Sequence, residues 1–193
     1  MRLRGIVFDL DGTLVHQELD FEAMRREIGV PSGTPLLETL AALSEPDRGR
    51  AWQILDDHER RAALKAEAFP GVPDLLTGLA QRGLRLGLLS RNSRNSVETV
   101  LSRCGLALDP ALSREDAPHK PNPHGLLRIC ETWGFAPAEV LMVGDYIYDL
   151  QAGRNAGTRT ALVTHGKVWE FAHMADWSFA SLCELPEMLR DWY

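Results

Sequence analysis

Apolar residues in this chain gather into short, near-continuous runs, separated by stretches where they recur every three or four positions. The runs are Arg4 to Asp9, Leu84 to Ser90 (LRLGLLS), Val140 to Asp145 (VLMVGD) and Arg159 to Val163 (RTALV). A run without polar alternation describes a strand covered on both faces, and alternation with helical segments describes a parallel sheet. A fifth strand is marked more weakly near Leu106 to Leu112. Between the strands, VPDLLTGLAQRG closes on Gly83 and SVETVLSRCG on Gly105, while PHGLLRICETWG opens at Pro123 and closes on Gly134. Glycine ends a helix without steric cost because it enters the left-handed region freely, and proline suits a first turn whose N–H has no partner. The pattern predicts an α/β fold, a doubly wound parallel sheet.

One segment breaks the alternation. From Val15 to Phe69 the pattern offers helices and no strand. DFEAMRREIG puts Phe21, Met24 and Ile28 on one face behind an N-cap at Asp20. TPLLETLAAL starts a second helix with Thr34 ahead of Pro35. Ser44 and Asp47 stand at capping-box spacing before an amphipathic run through Trp52, Leu55, Ala62 and Ala66. Three helices there predict a small helical subdomain, residues 16–69, inserted into a core made of 1–15 and 70–193. Its hinges are expected near Val15 to Asp20 and Glu67 to Gly71.

Composition narrows the classes. With 193 residues, 45% hydrophobic and 25% charged, the chain can bury one full core plus a small insert. A net charge of -6 argues against a surface that coats nucleic acid. Cys104, Cys130 and Cys183 are too scattered for a metal site and read as isolated thiols of a reducing compartment. Asp9 interrupts the first apolar run, so it does not read as a signal peptide, and no run approaches the roughly 18 residues of a membrane span. A cytoplasmic protein with no membrane partner is the expectation; oligomeric state is not readable.

The chemistry lies where the strands end. In a doubly wound sheet the C-terminal strand ends share one edge, and ligands bind there. Asp9, Asp11, Gly12 and Thr13 follow the first strand; Ser90, Arg91 and Asn92 follow the second. Lys120 lies in HKPNP, and Asp145 and Asp149 in GDYIYDL. Asp9 and Asp11, two residues apart, repel each other and raise each other's proton affinity unless a cation lies between them. All-oxygen ligation favours a hard cation such as Mg²⁺. A hydroxyl and an ammonium supply hydrogen bonds and positive charge for a phosphate, and a carboxylate can act as nucleophile beside a second that moves the proton. Gly12 permits a tight turn that brings backbone N–H groups toward a phosphate.

DLDGT, then Ser90, then Lys120 before proline, then GDxxxD, in this order and spacing, resemble the haloacid dehalogenase superfamily, in its magnesium-dependent phosphatase branch. The similarity runs over nearly the whole chain, and the insert matches the small type-1 helical cap of the phosphoglycolate-phosphatase-like subgroup. The resemblance implies a Rossmann-like core and a phosphatase acting on a small phosphorylated metabolite through an aspartyl-phosphate. It implies Asp9 as nucleophile and metal ligand, and Asp11 as general acid/base whose backbone carbonyl also meets the metal. Ser90 would bind the phosphoryl group, helped by backbone N–H groups near Arg91 and Asn92 and at the Gly12 turn, and Lys120 would balance the charge of the phosphate and Asp9. Asp145 would bind Mg²⁺, with Asp149 holding a metal-bound water or orienting the loop. A phosphomutase and a non-catalytic phosphate-binding module are the alternatives. Presence of Asp11 disfavours a dehalogenase, which has no alkoxide to protonate. In the insert, Arg25, Arg26, Arg60, Arg61 and Lys65 are candidates to read an acidic substrate, and His16, His119, His124 and His165 are loop histidines near the motifs.

Overall fold

The computed structural model describes residues 2–16, 18–190 and 192. Six strands form the main sheet: β1 (Gly5–Phe8), β4 (Arg85–Leu89), β5 (Ala111–Leu112), β6 (Val140–Gly144), β7 (Arg159–Val163) and β8 (Trp177–Phe179). Their order is β5-β4-β1-β6-β7-β8, with every neighbouring pair parallel. Gly5 pairs with Arg85 on one side and Val140 on the other, so β1 is central and the chain order reverses across it. That reversal opens a crevice at the C-terminal strand ends.

Alternation along β1 divides the core. Ile6 and Phe8 join a cluster with Leu75 and Leu79 of α4 (Val72–Gln81) and Val97 and Val100 of α5 (Arg94–Cys104). Val7 faces the other way, toward Leu126 and Ile129 of α6 (His124–Trp133) and Ala152 of α7 (Ile147–Ala156). Burying such a side chain contributes about 1.5–3 kcal/mol, so two covered faces hold the sheet without any polar face. Helices α5 and α6 end on Gly105 and Gly134 in the left-handed conformation. A short helix α8 (Leu185–Met188) lies near the C-terminus.

Between Val15 and Phe69 lie α1 (Phe21–Ile28), α2 (Leu36–Ala42) and α3 (Asp47–Ala63). They enclose an apolar cluster of their own, built on Met24, Leu40 and Leu55. Asp20 caps α1 by accepting from the Ala23 N–H at 2.8 Å.

Four local expectations fail here. The segment does contain strands: β2 (Val15–His16) and β3 (Glu67–Ala68) pair antiparallel, too short to leave a periodic trace. Ser44 does not cap α3; the Glu45 carboxylate takes the Gly49 N–H instead, at 3.1 Å. Helix α3 stops at Ala63, short of the expected run through Ala66, whereas α2 starts behind Pro35 as expected, with the Thr34 hydroxyl donating to the Pro31 carbonyl. Phe21 is half exposed rather than buried with Met24. Strand β8 was also unforeseen, its three residues being shorter than a readable run. Of the first expected hinge, Gln17 lies outside the described residues.

Candidate active site

Four loops leaving the sheet edge meet around one cavity of about 440 Å³ whose other wall is the helical segment. Asp9 leaves β1 with its N–H bonded to the Val143 carbonyl of β6, which fixes where the side chain emerges. Lys120 is 2% exposed and arrives from the loop before α6. Its ammonium donates to Asp9 Oδ1 at 2.5 Å and to Asp149 Oδ1 at 2.7 Å. Burial works to lower its proton affinity, but the charges of Asp149 and Asp9 outweigh it and raise the pKa.

Asp149 uses its second oxygen at the start of α7, where Oδ2 accepts from the Tyr146 N–H at 3.1 Å. It is therefore a helix cap and a partner of Lys120 at once. Gly144 makes this possible, since a Cβ there would lie 2.2 Å from the Asp149 Cγ.

Asp11 lies on the other side of Asp9. Asn92 Nδ2 donates to Asp11 Oδ2 at 2.6 Å, while Oδ1 is buried without a hydrogen-bond partner. Burial first, and the Asp9 charge second, push Asp11 up to about 7. Burial likewise raises Asp9 to about 6, against the pull of Lys120, and Asp145 to about 8 with added repulsion from Asp9 and Asp149.

Gly12 has φ +76, and a Cβ on it would stand 2.3 Å from Asp145 Oδ2. Its N–H donates to the Val15 carbonyl at 2.9 Å, so this donor is spent inside the turn rather than offered to a phosphate. His165 anchors the same turn through Nε2 to the Gly12 carbonyl at 2.6 Å and stacks on Phe69.

Ser90 is buried, and its Oγ accepts from the Asn92 N–H at 3.1 Å. The Arg91 guanidinium is committed to Glu38 of α2 and to the Lys120 carbonyl, not turned free toward a phosphate. Asn92 spends its side chain on Asp11 and its N–H on Ser90. The loop residues thus organise the carboxylates and each other.

One oxygen each from Asp9, Asp145 and Asp149 lies within 4.8 Å of the others. An all-carboxylate donor set on this scale fits a hard divalent cation, and repulsion among these carboxylates adds to burial, the larger cause, in raising the proton affinities of Asp9 and Asp145. Asp11 contributes no side-chain oxygen to that group.

Residues that sequence reasoning missed come mainly from the far wall. Glu59 of α3 is 3% exposed and lines the cavity. It accepts from the Ser93 N–H at 3.0 Å and from Arg114 Nη1 at 2.6 Å. Arg114 reaches also to Asp56 and lies over the Trp52 ring. Tyr146 and Tyr148 line the mouth. Of the insert's basic residues, Arg25 lines the cavity, while Arg26, Arg60, Arg61 and Lys65 are not among its lining residues. His16 is exposed and outside it, and His124 pairs with Asn122.

Residues 6–163 match the family model of haloacid dehalogenase-like hydrolases. A haloacid dehalogenase-like hydrolase domain-containing protein of Arabidopsis thaliana is 37% identical over 84% of this chain and 71% of its own length. An N-acetylmuramic acid 6-phosphate phosphatase of Pseudomonas putida is 30% identical over 98% of this chain and 96% of its own. Among solved structures, a hydrolase from Pseudomonas syringae superposes with a TM-score of 0.83 over 97% of this chain and 98% of the other, at 20% identity. A parallel six-stranded sheet with four converging loops, matched along most of its length, places this chain in the haloacid dehalogenase-like hydrolase family.

Proposed function

We propose that this chain is a magnesium-dependent phosphatase that hydrolyses a small phosphomonoester through an aspartyl-phosphate on Asp9. The observation that carries this reading is the placement of Lys120 between Asp9 and Asp149, with Asp11 held apart by Asn92 at the same cavity. Asp9 is thereby oriented by an ammonium that opposes the effect of its burial, whereas the side-chain partner of Asp11 is the neutral amide of Asn92. Asp11 is pushed by burial toward the protonated form.

The chemistry follows from that inequality. Asp9 attacks phosphorus, the P–O bond to the leaving group breaks, and an acyl-phosphate forms. Asp11 gives its proton to the departing oxygen, then takes one from the water that attacks the acyl-phosphate, so that inorganic phosphate leaves and both carboxylates are restored. Lys120 offsets charge on the transferring group, and the Ser90 hydroxyl can donate to it while its oxygen accepts from Asn92. Asp9 and Asp145 would hold Mg²⁺ together with the Asp11 carbonyl, and Asp149 would contribute through a water or by fixing the loop. When bound, the ion supplies positive charge that lets a phosphate dianion approach these carboxylates. Residues 16–69 would act as a cap over the core of 1–15 and 70–193.

Hydrolysis of p-nitrophenyl phosphate by EDTA-treated protein, before and after Mg²⁺ is restored, tests the reading. Turnover restored by Mg²⁺, with ¹⁸O from labelled water appearing in the phosphate, is the expected result. No turnover by correctly folded, metal-loaded protein would overturn it in favour of a binding module. Isomerised sugar phosphates without label in free phosphate would overturn it in favour of a mutase.

A further inference from the structure

Every cation lining the cavity is already matched to a carboxylate. Among the described lining residues the cations are Lys120, Arg91 and Arg25. Lys120 is held by Asp9 and Asp149. Arg91 presents Nη2 to both oxygens of Glu38 at 3.0 and 3.1 Å and Nη1 to the Lys120 carbonyl, with its face over the Tyr148 ring at 4.3 Å. Arg25 donates Nη1 to Glu22 at 2.7 Å and both Nε and Nη2 to the Thr34 carbonyl. Away from the catalytic carboxylates, the remaining charged lining group is Glu59, an anion. Apart from Gly33 and Thr34, the rest of that wall is apolar, with Phe21, Pro35, Leu36, Leu37 and Leu55, and Tyr146 and Tyr148 line the same cavity.

On the phosphatase reading above, we propose that the cavity accepts phosphomonoesters whose leaving group is uncharged and presents an apolar or aromatic face. Glu22 and Glu38 are specificity-determining residues in this assignment: by occupying Arg25 and Arg91, they withhold the donors a second anionic group would need. A carboxylate on the leaving group enters a space that already holds the catalytic aspartates, beside a Glu59 whose own cation, Arg114, is not among the lining residues, and finds no unpaired cation. Rejection by like charge and unmet hydrogen bonding is an efficient way to discriminate between esters that share a phosphate. An uncharged ring loses little in the same place, because Leu36, Leu37 and Leu55 take its face. The preference runs against acidic esters such as phosphoglycolate. It also separates this chain from the Pseudomonas putida relative, whose named substrate is an acid.

Phenyl phosphate and 4-carboxyphenyl phosphate differ by one carboxylate at the far end of the leaving group and test the assignment directly. The metal-loaded wild-type enzyme is expected to show a kcat/KM at least about tenfold higher for phenyl phosphate, mostly through KM. In the double variant Glu22→Gln, Glu38→Gln, the ratio is expected to narrow by several-fold, because both guanidinium groups then have a donor to offer. Equal or better turnover of the carboxylated ester by wild-type protein overturns the assignment. An unchanged ratio in the folded double variant overturns the role of Glu22 and Glu38. Absence of turnover with both esters and with p-nitrophenyl phosphate takes down the phosphatase reading itself, a result distinct from reversed preference.

Discussion

The sheet-edge wall of the cavity and the helical wall are built by different means. At the sheet edge, strands buried on both faces deliver the candidate catalytic carboxylates, and backbone bonds such as Asp9 N–H to Val143 fix their exit. Close approaches at Gly12 and Gly144 leave no room for a side chain. On the helical side, a small cluster around Met24, Leu40 and Leu55 holds three helices together. That unit meets the core through ion pairs, Arg91 with Glu38 and Arg114 with Asp56 and Glu59. The candidate reacting groups are thus tied to the main core, whereas the helical wall meets it through the end of α3, where Ala63 joins the main cluster, and through a few ion pairs that can change without unfolding the sheet.

The sharpest way to break this contrast is at the sheet edge. Asp9→Asn is expected to abolish turnover, since a neutral amide cannot form the acyl-phosphate, and acid-quenched protein should carry no phosphate. Retention of wild-type rates would show that the nucleophile lies elsewhere. Next in size, Asp11→Asn should slow kcat by roughly 10²–10⁴-fold, the scale of a lost general acid/base, while leaving urea stability at least as high as before.

On the helical side the expected losses are of stability. Arg114→Met leaves Glu59 buried without its cation, which should cost about 3–5 kcal/mol by urea denaturation unless the carboxylate takes up a proton. A change near zero would mean that the pair contributes nothing to holding the helices on the core. Burial raises the Glu59 pKa even with Arg114 opposing it. A group whose pKa is higher folded than unfolded binds its proton more tightly in the native state. Its stabilising contribution is therefore present below the unfolded value near 4.5 and is lost as pH rises through the folded one. The groups facing it are Arg114 and the Ser93 N–H, with Asp56 and Glu115 sharing Arg114. Denaturation midpoints measured from pH 4 upward should fall less steeply in Glu59→Gln than in wild type; identical slopes would exclude Glu59 as a source. Smallest of all, Asp20→Ala removes a cap on α1 and should cost about 1 kcal/mol.

The same contrast explains what the sequence could disclose. Strands buried on both faces leave uninterrupted apolar runs, so β1, β4, β6 and β7 were legible to within a residue or so at each end. Asp9, Asp11 and Asp145 stood out as candidates because carboxylates at the ends of apolar strands demand a reason, and Lys120 because a cation was needed beside them. The side-chain partners of Arg91 and Asn92 were hidden, since a polar residue after a strand gives no sign of a distant Glu38 or Asp11. Glu59 carried no signal at all. It stands in a helix rich in charge, and only the approach of Arg114, 55 positions later, separates it from its solvated neighbours. Two-residue pairings such as β2 with β3 lie below the length at which a period exists.

That short ribbon has a mechanical consequence. Val15 pairs with Ala68 and His16 with Glu67, the Phe69 N–H bonds to the Leu14 carbonyl, and the Gly12 N–H bonds to Val15. The two passages into the helices are therefore stitched together within a few residues of Asp11. Both crossings between the sheet core and the helices share one hydrogen-bonded junction, and a change at that junction reaches the Asp11 turn and the helices together.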